Sequence, residues 1–157
     1  MIVTTLSESN MKTVEEQAKN IYQLLEMVYG TSPWTLEQVL IDIRRDQTDY
    51  FLLYDHDKLL GFLAIQDLAG EVEMTQIAIL PSHQELGLAS QLMTHLDSIE
   101  SDIFLEVRES NHRAQGLYQK FGFKFIGKRP DYYRNPIETA LLMKREGKHD
   151  RQVYFSS

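Results

Sequence analysis

Hydrophobic positions along the chain repeat with two different periods, and the switches between them mark out its elements. Ile2–Leu6 is a short apolar run and reads as a strand. From Glu8 to Val28 the apolar residues Val14, Ala18, Ile21, Leu25 and Val28 fall at helical spacing, and Gly30 ends that stretch. Thr35-Leu36-Glu37-Gln38 has the form of a capping box that opens a second helix, whose Val39, Leu40 and Ile43 face inward before Arg44-Arg45-Asp46. A β-rich stretch follows, with Tyr50–Tyr54, a turn at Asp55-His56-Asp57, then Leu59–Gln66. Gly70 separates these from a further strand over Val72–Leu80.

After Pro81 the helical period returns: Leu88, Leu92, Met93, Leu96 and Ile99 share one face of a predicted helix over Gly87–Ile99. Ile103–Val107 reads as a short buried strand, and Arg113–Phe121 as a helix closed by Gly122 in the position of a C-terminal cap. Phe123–Gly127 and Thr139–Lys144 read as closing strands. The order β-α-α-β-β-β-α-β-α-β-β predicts an α/β protein with a mixed sheet and helices on its faces.

Composition narrows the chemistry. The 157 residues are 43% hydrophobic and 25% charged, the balance of one folded domain with a real core. There is no cysteine, which excludes disulfides, thiolate metal sites and a covalent cysteine intermediate. No two of His56, His83, His95, His112 and His149 lie at the helical i, i+4 spacing, so no metal is expected. The net charge of −7 argues against direct nucleic-acid binding. That charge is uneven: residues 1–123 carry a balance of −11 and residues 124–157 one of +4. The acidic body suits a basic acceptor, and a solvated surface accounts for the same charges equally well. With no apolar run near the roughly 20 residues of a membrane span and no secretory pattern at Met1-Ile2-Val3, a cytoplasmic location is expected.

The most informative segment runs from Ile77-Ala78-Ile79 through Leu80-Pro81-Ser82-His83 into Gln84-Glu85-Leu86-Gly87-Leu88-Ala89-Ser90. A strand passes through a short loop into the start of a helix, and Gly87 and Ala89 are small enough for a ligand to approach the backbone. The first N–H groups of the helix suit an anion. A turn with small residues kept for packing is the competing reading. Neither a Walker loop nor a Rossmann fingerprint is present.

Gln84-x-x-Gly87-x-Ala89 resembles the pyrophosphate loop of the GNAT family of N-acetyltransferases. Leu105-Glu106-Val107-Arg108-Glu109-Ser110-Asn111, with Ala114, Leu117-Tyr118 and Phe121-Gly122-Phe123, is similar to the bacterial ribosomal-protein-alanine N-acetyltransferase branch. Ser32-Pro33-Trp34-Thr35 and Asp131-Tyr132-Tyr133 agree with it. The resemblance covers residues 1–144 and implies the GNAT acyltransferase fold, acetyl-CoA as cosubstrate and a primary amine as acceptor, most simply the N-terminal α-amine of a ribosomal protein. It also implies roles for single residues. The N–H groups of Glu85, Leu86, Gly87, Leu88, Ala89 and Ser90, with Gln84, would hold the pyrophosphate, and Ile77, Ala78 and Ile79 would pair with the pantetheine arm. Asn111 would bond the pantetheine as well as cap its helix, Glu106 would be the general base, and Tyr118 the general acid. Trp34, Tyr132 and Tyr133 would shape the acceptor site, with the segments 70–76 and 130–135.

The chain departs from the family where Glu85 and Leu86 replace basic loop residues, which shifts pyrophosphate binding towards backbone N–H groups. The acetyltransferase domain is expected over residues 1–146, followed by a tail over 147–157 in which Tyr154 and Phe155 pack back or stay free. Two other readings stand beside the protein acceptor. One is an acetyltransferase for a small amine such as a polyamine or amino sugar. The other is a non-catalytic acyl-CoA-binding module, against which the pairing of Glu106 with Tyr118 argues.

Overall fold

A computed structural model describes residues 2–5 and 12–148. The readings that fall on Leu6, on residues 8–11, and on Tyr154 and Phe155 lie outside the described residues. The element order is β1 (Ile2–Thr5), α1 (Val14–Tyr29), α2 (Leu36–Ile43), β2 (Thr48–Asp55), β3 (Lys58–Leu68), β4 (Glu71–Ile79), α3 (Leu88–Met93), β5 (Ile103–Arg108), α4 (His112–Lys120), β6 (Lys124–Tyr133) and β7 (Glu138–Arg145). It is the order expected from the hydrophobic pattern. The strands form one mixed sheet in the order β1-β2-β3-β4-β5-β7-β6. The chain divides into two compact units, Met1–Gln66 with Gln76–Leu96 and Asp67–Thr75 with Asp97–Ser157, so that β4 begins in the second and ends in the first.

In the first unit, β1, β2 and β3 form an antiparallel meander, with Val3 opposite Leu53 and Leu52 opposite Phe62. Helix α1 starts at Val14, where Thr13 is extended (ψ 163°) and its hydroxyl accepts the Glu16 N–H at 3.1 Å. Ala18, Ile21, Leu24 and Leu25 of α1 are buried, whereas Val14 in the first turn is exposed. The capping box of α2 is complete: Gln38 N–H donates to Thr35 Oγ1 at 3.1 Å, and Thr35 N–H donates to Gln38 Oε1 at 2.9 Å. Val39 and Ile43 are buried as expected, and Asp42 accepts a hydrogen bond from the buried Tyr50 hydroxyl at 2.5 Å. Burial and that carboxylate together push the Tyr50 phenol pKa up.

The helix expected over Gly87–Ile99 is α-helical only to Met93 and continues as a 3₁₀ turn over Thr94–Ser98. At the junction the Thr94 hydroxyl donates to Gln91 O at 2.6 Å, and a β-branched residue that bonds the preceding turn favours such tightening. Leu88, Leu92, Met93 and Leu96 remain buried through the change.

In the second unit β5 alternates, with Ile103, Leu105 and Val107 buried and Phe104, Glu106 and Arg108 half-buried on the opposite face. Its antiparallel ladder with β7 runs its full length, from Ile103 opposite Arg145 to Arg108 opposite Ala140. Its parallel ladder with β4 has only the pairs Val72↔Ile103 and Glu73↔Phe104, so among the described residues Leu105–Arg108 take no partner in β4. Asn111 caps α4 by accepting the Ala114 N–H at 3.2 Å, and Gly122 just beyond the helix has φ 92°. The closing strands are longer than expected. Phe123 precedes β6, and β6 runs past Gly127 to Tyr133, passing through Pro130. A proline is tolerated there because β6 is the last strand of the sheet and its pairing with β7 is interrupted between Arg129 and Tyr133.

Candidate active site

The strand–loop–helix segment lies wholly in the first unit. Pro81–His83 form a 3₁₀ turn, and the Gln84 side chain reaches back to donate to Ile79 O at 3.1 Å, which fastens the loop to the end of β4. Glu85 and Gly87 both have positive φ, 67° and 78°. Only glycine takes such a conformation without strain, and a Cβ built on Gly87 would have nothing within 4 Å, so its surface is open. The first intrahelical bond of α3 is Gln91 N–H to Gly87 O at 3.1 Å; the N–H groups of Leu88, Ala89 and Ser90 precede it and have no intrahelical acceptor. Glu85 and Leu86 are exposed, so the carboxylate can turn into solvent while the loop backbone faces a ligand.

Just before Ile77, the Gln76 amide oxygen is buried with no hydrogen-bond partner among the described residues. A buried acceptor of this kind costs about 1–3 kcal/mol unless a donor reaches it. An extended, amide-bearing chain alongside β4 offers one, so Gln76 and the open loop together fit a pantetheine-linked pyrophosphate. Trp34 is also in this unit, half-buried; the Ser32 hydroxyl donates to its carbonyl at 2.5 Å and accepts its N–H at 3.2 Å.

The second unit holds a charged cluster centred on Glu106. Arg129 Nη1 donates to Glu106 Oε1 at 3.1 Å, and the Arg129 guanidinium lies over the Tyr132 ring at 5.0 Å. The Glu106 carboxylate acting on the Tyr132 hydroxyl, with partial burial, raises the Tyr132 pKa. Tyr132 meets Tyr133 edge-on at 5.1 Å. Burial, then the Glu106 and Tyr132 charges, push the Tyr133 phenol up to about 12. Glu73 stands opposite Phe104 and so shares the face of Glu106, two residues further along β5. Partial burial and the Glu106 charge raise the Glu73 pKa, with Arg129 opposing them.

Tyr118 is buried in α4, its ring edge-on to Phe123 at 6.1 Å. Gln115, also buried, donates to Arg108 O at 3.0 Å and Glu109 O at 2.9 Å and so ties α4 to the end of β5. The structure thus brings Glu106, Tyr132 and Tyr133 together, and places Tyr118 and Asn111 on the helix that follows β5.

Four side chains of this arrangement were not singled out from the sequence: Glu73, Gln76, Arg108 and Arg129. Gln76 alone left a local signal, a polar residue on the strand face otherwise formed by the apolar Val72, Met74 and Ala78. Among the described residues no group of three or more His, Cys, Asp or Glu side chains could hold a metal ion, and no helix is long and apolar enough to cross a membrane.

The small-residue loop after β4 and the half-buried Glu106 of β5 are the positions that the resemblance to the GNAT family singles out. The sequence profile described as the Acetyltransferase (GNAT) family matches residues 12–123. The chain belongs to the GNAT family. It is accordingly an acetyl-CoA-dependent N-acetyltransferase. It is 34% identical over 134 residues to a candidate ribosomal protein bS18-alanine N-acetyltransferase of Bacillus subtilis, covering 82% of this chain and 88% of that one. It is 31% identical over 143 residues to the bS18-alanine N-acetyltransferase of Haemophilus ducreyi, covering 85% and 97%. The crystal structure of the Escherichia coli ribosomal-protein-alanine N-acetyltransferase superposes with a TM-score of 0.78 at 26% identity, covering 92% and 93%.

Proposed function

We propose that this GNAT enzyme acetylates the N-terminal α-amine of a protein, most simply a ribosomal protein as its relatives' names indicate, in the cytoplasm, with the acetyltransferase domain over residues 1–146 and 147–157 as its tail. The observation that carries the reading is Glu106: a carboxylate on the half-buried face of β5, hydrogen-bonded by Arg129, whose guanidinium lies over Tyr132 in a wall of two tyrosines.

Acetyl-CoA supplies a thioester, an activated acyl carbon with a sulfur leaving group. The N–H groups from Glu85 through Ser90 bind its pyrophosphate, Gln84 holds that loop in shape, and Ile77, Ala78 and Ile79 pair with its pantetheine arm. Gln76 and Asn111 bond the amides of that arm. Tyr132 and Tyr133 form one wall for the acceptor, and Trp34 contributes to its recognition. Glu106 takes the proton from the acceptor ammonium, through a water, so that a neutral amine attacks the carbonyl carbon; the C–N bond forms as the C–S bond breaks, and the nitrogen sheds its second proton to solvent to leave the amide. Tyr118 gives its phenolic proton to the departing sulfur and regains one from solvent. An α-ammonium has a pKa of about 8 against about 10.4 for lysine, so a carboxylate base suits a protein N-terminus.

The test is a panel of amines offered with acetyl-CoA and read by mass spectrometry: a peptide with a free N-terminal alanine followed by basic residues, the same peptide with its N-terminus blocked, and a polyamine. Acetylation of the free peptide alone is expected, with kcat/KM falling as salt screens the acidic body. Acetylation of the blocked peptide's lysines, or of the polyamine in preference, refutes the reading.

A further inference from the structure

Arg108 lies two residues beyond Glu106 on the same face of β5, and its guanidinium makes four contacts, two with the β6–β7 connection and two with the strand ends that flank it. Nη1 donates to Pro136 O at 3.2 Å and to Glu138 Oε1 at 3.3 Å, and Nη2 donates to Arg134 O at 3.1 Å. The guanidinium plane lies 4.3 Å from the centre of the Tyr133 ring. Glu138 is held in turn: its Oε2 accepts the Ser110 N–H at 2.5 Å, and the Ser110 bonds, followed by Arg108, hold its carboxyl below the usual range. One planar group thus binds two carbonyls, a carboxylate and an aromatic face, a combination that a lysine cannot reproduce.

The contacts form a chain. Arg108 fixes Tyr133, Tyr133 meets Tyr132 edge-on at 5.1 Å, and the Arg129 guanidinium that lies over Tyr132 donates to Glu106. These tyrosines end β6 where its register with β7 shifts: Tyr133 pairs with Glu138, but Tyr132 has no pair between Arg129 and Tyr133, so the sheet ladder does not set the position of Tyr132. Arg108, over the ring of Tyr133, does so through the edge-on contact of the two tyrosines.

We propose that Arg108 is the positioning residue of the acceptor wall: it acts through Tyr133 to hold Tyr132 beside Glu106, and so sets how tightly the acceptor amine is bound and aligned. This rests on the reading of Glu106 as the base and of Tyr132 and Tyr133 as the acceptor wall. It adds that acceptor affinity depends on a guanidinium that need not touch the acceptor.

The experiment is a double-mutant cycle on the full chain with Arg108→Gln and Tyr133→Ala, with Arg108→Lys beside them. The acceptor is whichever amine the wild-type enzyme accepts in the panel above. Each single variant should raise the acceptor KM by about 10- to 100-fold, the scale of a misplaced binding group, with the KM for acetyl-CoA unchanged and kcat within about threefold. The double variant should be no worse than the worse single one, because both substitutions break the same chain. Arg108→Lys should resemble Arg108→Gln; it keeps the charge and stem, and it serves as the folded variant if the glutamine form does not fold. Multiplicative effects in the double variant, a wild-type KM in Arg108→Lys, or a defect confined to kcat or to acetyl-CoA overturns the proposal. Failure of the N-terminal reading shows separately, in which amine the wild-type enzyme uses.

Discussion

Replacing Gly87 by valine separates backbone conformation from ligand contact, because the position has φ 78° and open space where a Cβ would sit. No clash contributes, so the cost in the free protein is conformational. An L-residue in the left-handed region costs about 1–2 kcal/mol, with a β-branched one at the upper end. For a chain of this size each kcal/mol shifts Tm by about 2–4 °C, so the variant should melt about 2–8 °C lower. Acetyl-CoA at 100 times its Kd should stabilise the wild type by about 2.7 kcal/mol, or about 5–11 °C. If valine turns the loop N–H groups away and weakens binding a hundredfold, the same concentration leaves only about 0.4 kcal/mol. The structure supplies a control: Gly30, at the C-terminus of α1, has φ 79° and ψ −46° and equally nothing within 4 Å of a built Cβ. Gly30→Val should lower the free Tm at least as much, because its ψ lies outside the left-handed helical well, and keep the full acetyl-CoA shift. Differential scanning fluorimetry of the three proteins, with and without acetyl-CoA, decides. A full ligand shift in Gly87→Val, or its loss in both variants, refutes the assignment of the loop.

Glu106→Gln should keep the acetyl-CoA Tm shift and lower kcat by about 10²–10⁴-fold, with the defect shrinking as rising pH leaves more acceptor already neutral; steady-state kinetics across pH check both. Glu73→Gln should stabilise the protein at pH 7. The folded state raises the Glu73 pKa above 4.5, so the native protein binds this proton more tightly than the unfolded chain. The resulting penalty grows as pH rises through the window from the unfolded value to the raised one and is complete above it. The gain from glutamine, at most about 1 kcal/mol for so exposed a group, should therefore vanish below about pH 4 in urea titrations.

What was legible in the sequence depended on how far apart the interacting residues lie along the chain. Thr35 and Gln38 are three apart, and their box is read directly; Gly122 marks the end of α4 by the same local logic. Glu106 announces its exposed side through the alternation with Leu105 and Val107. Its partners do not. Arg129 is 23 residues further on and reaches Glu106 only because β6 pairs with β7 and β7 with β5, and Glu73 becomes its neighbour only through the β4–β5 register. Arg108 resembles any strand-end cation until the β6–β7 connection folds beneath it. The far end of β6 was not read at all: the strand was expected to stop at Gly127, and a proline at 130 is admitted only because β6 lies at the end of the sheet with an interrupted ladder.

That terminal strand bears on how the protein keeps to itself at high concentration. An unpaired edge of ten residues would ordinarily template the addition of another chain. Here Lys124, Lys128 and Arg129 place positive charge along it, Pro130 lacks the N–H that an incoming strand would need, and register shifts between Phe125 and Gly127 and between Arg129 and Tyr133 twist it out of line. No incoming backbone finds a straight run of donors and acceptors there. The irregularity beside Tyr132 and Tyr133 thus also disfavours strand addition along this edge of the described residues.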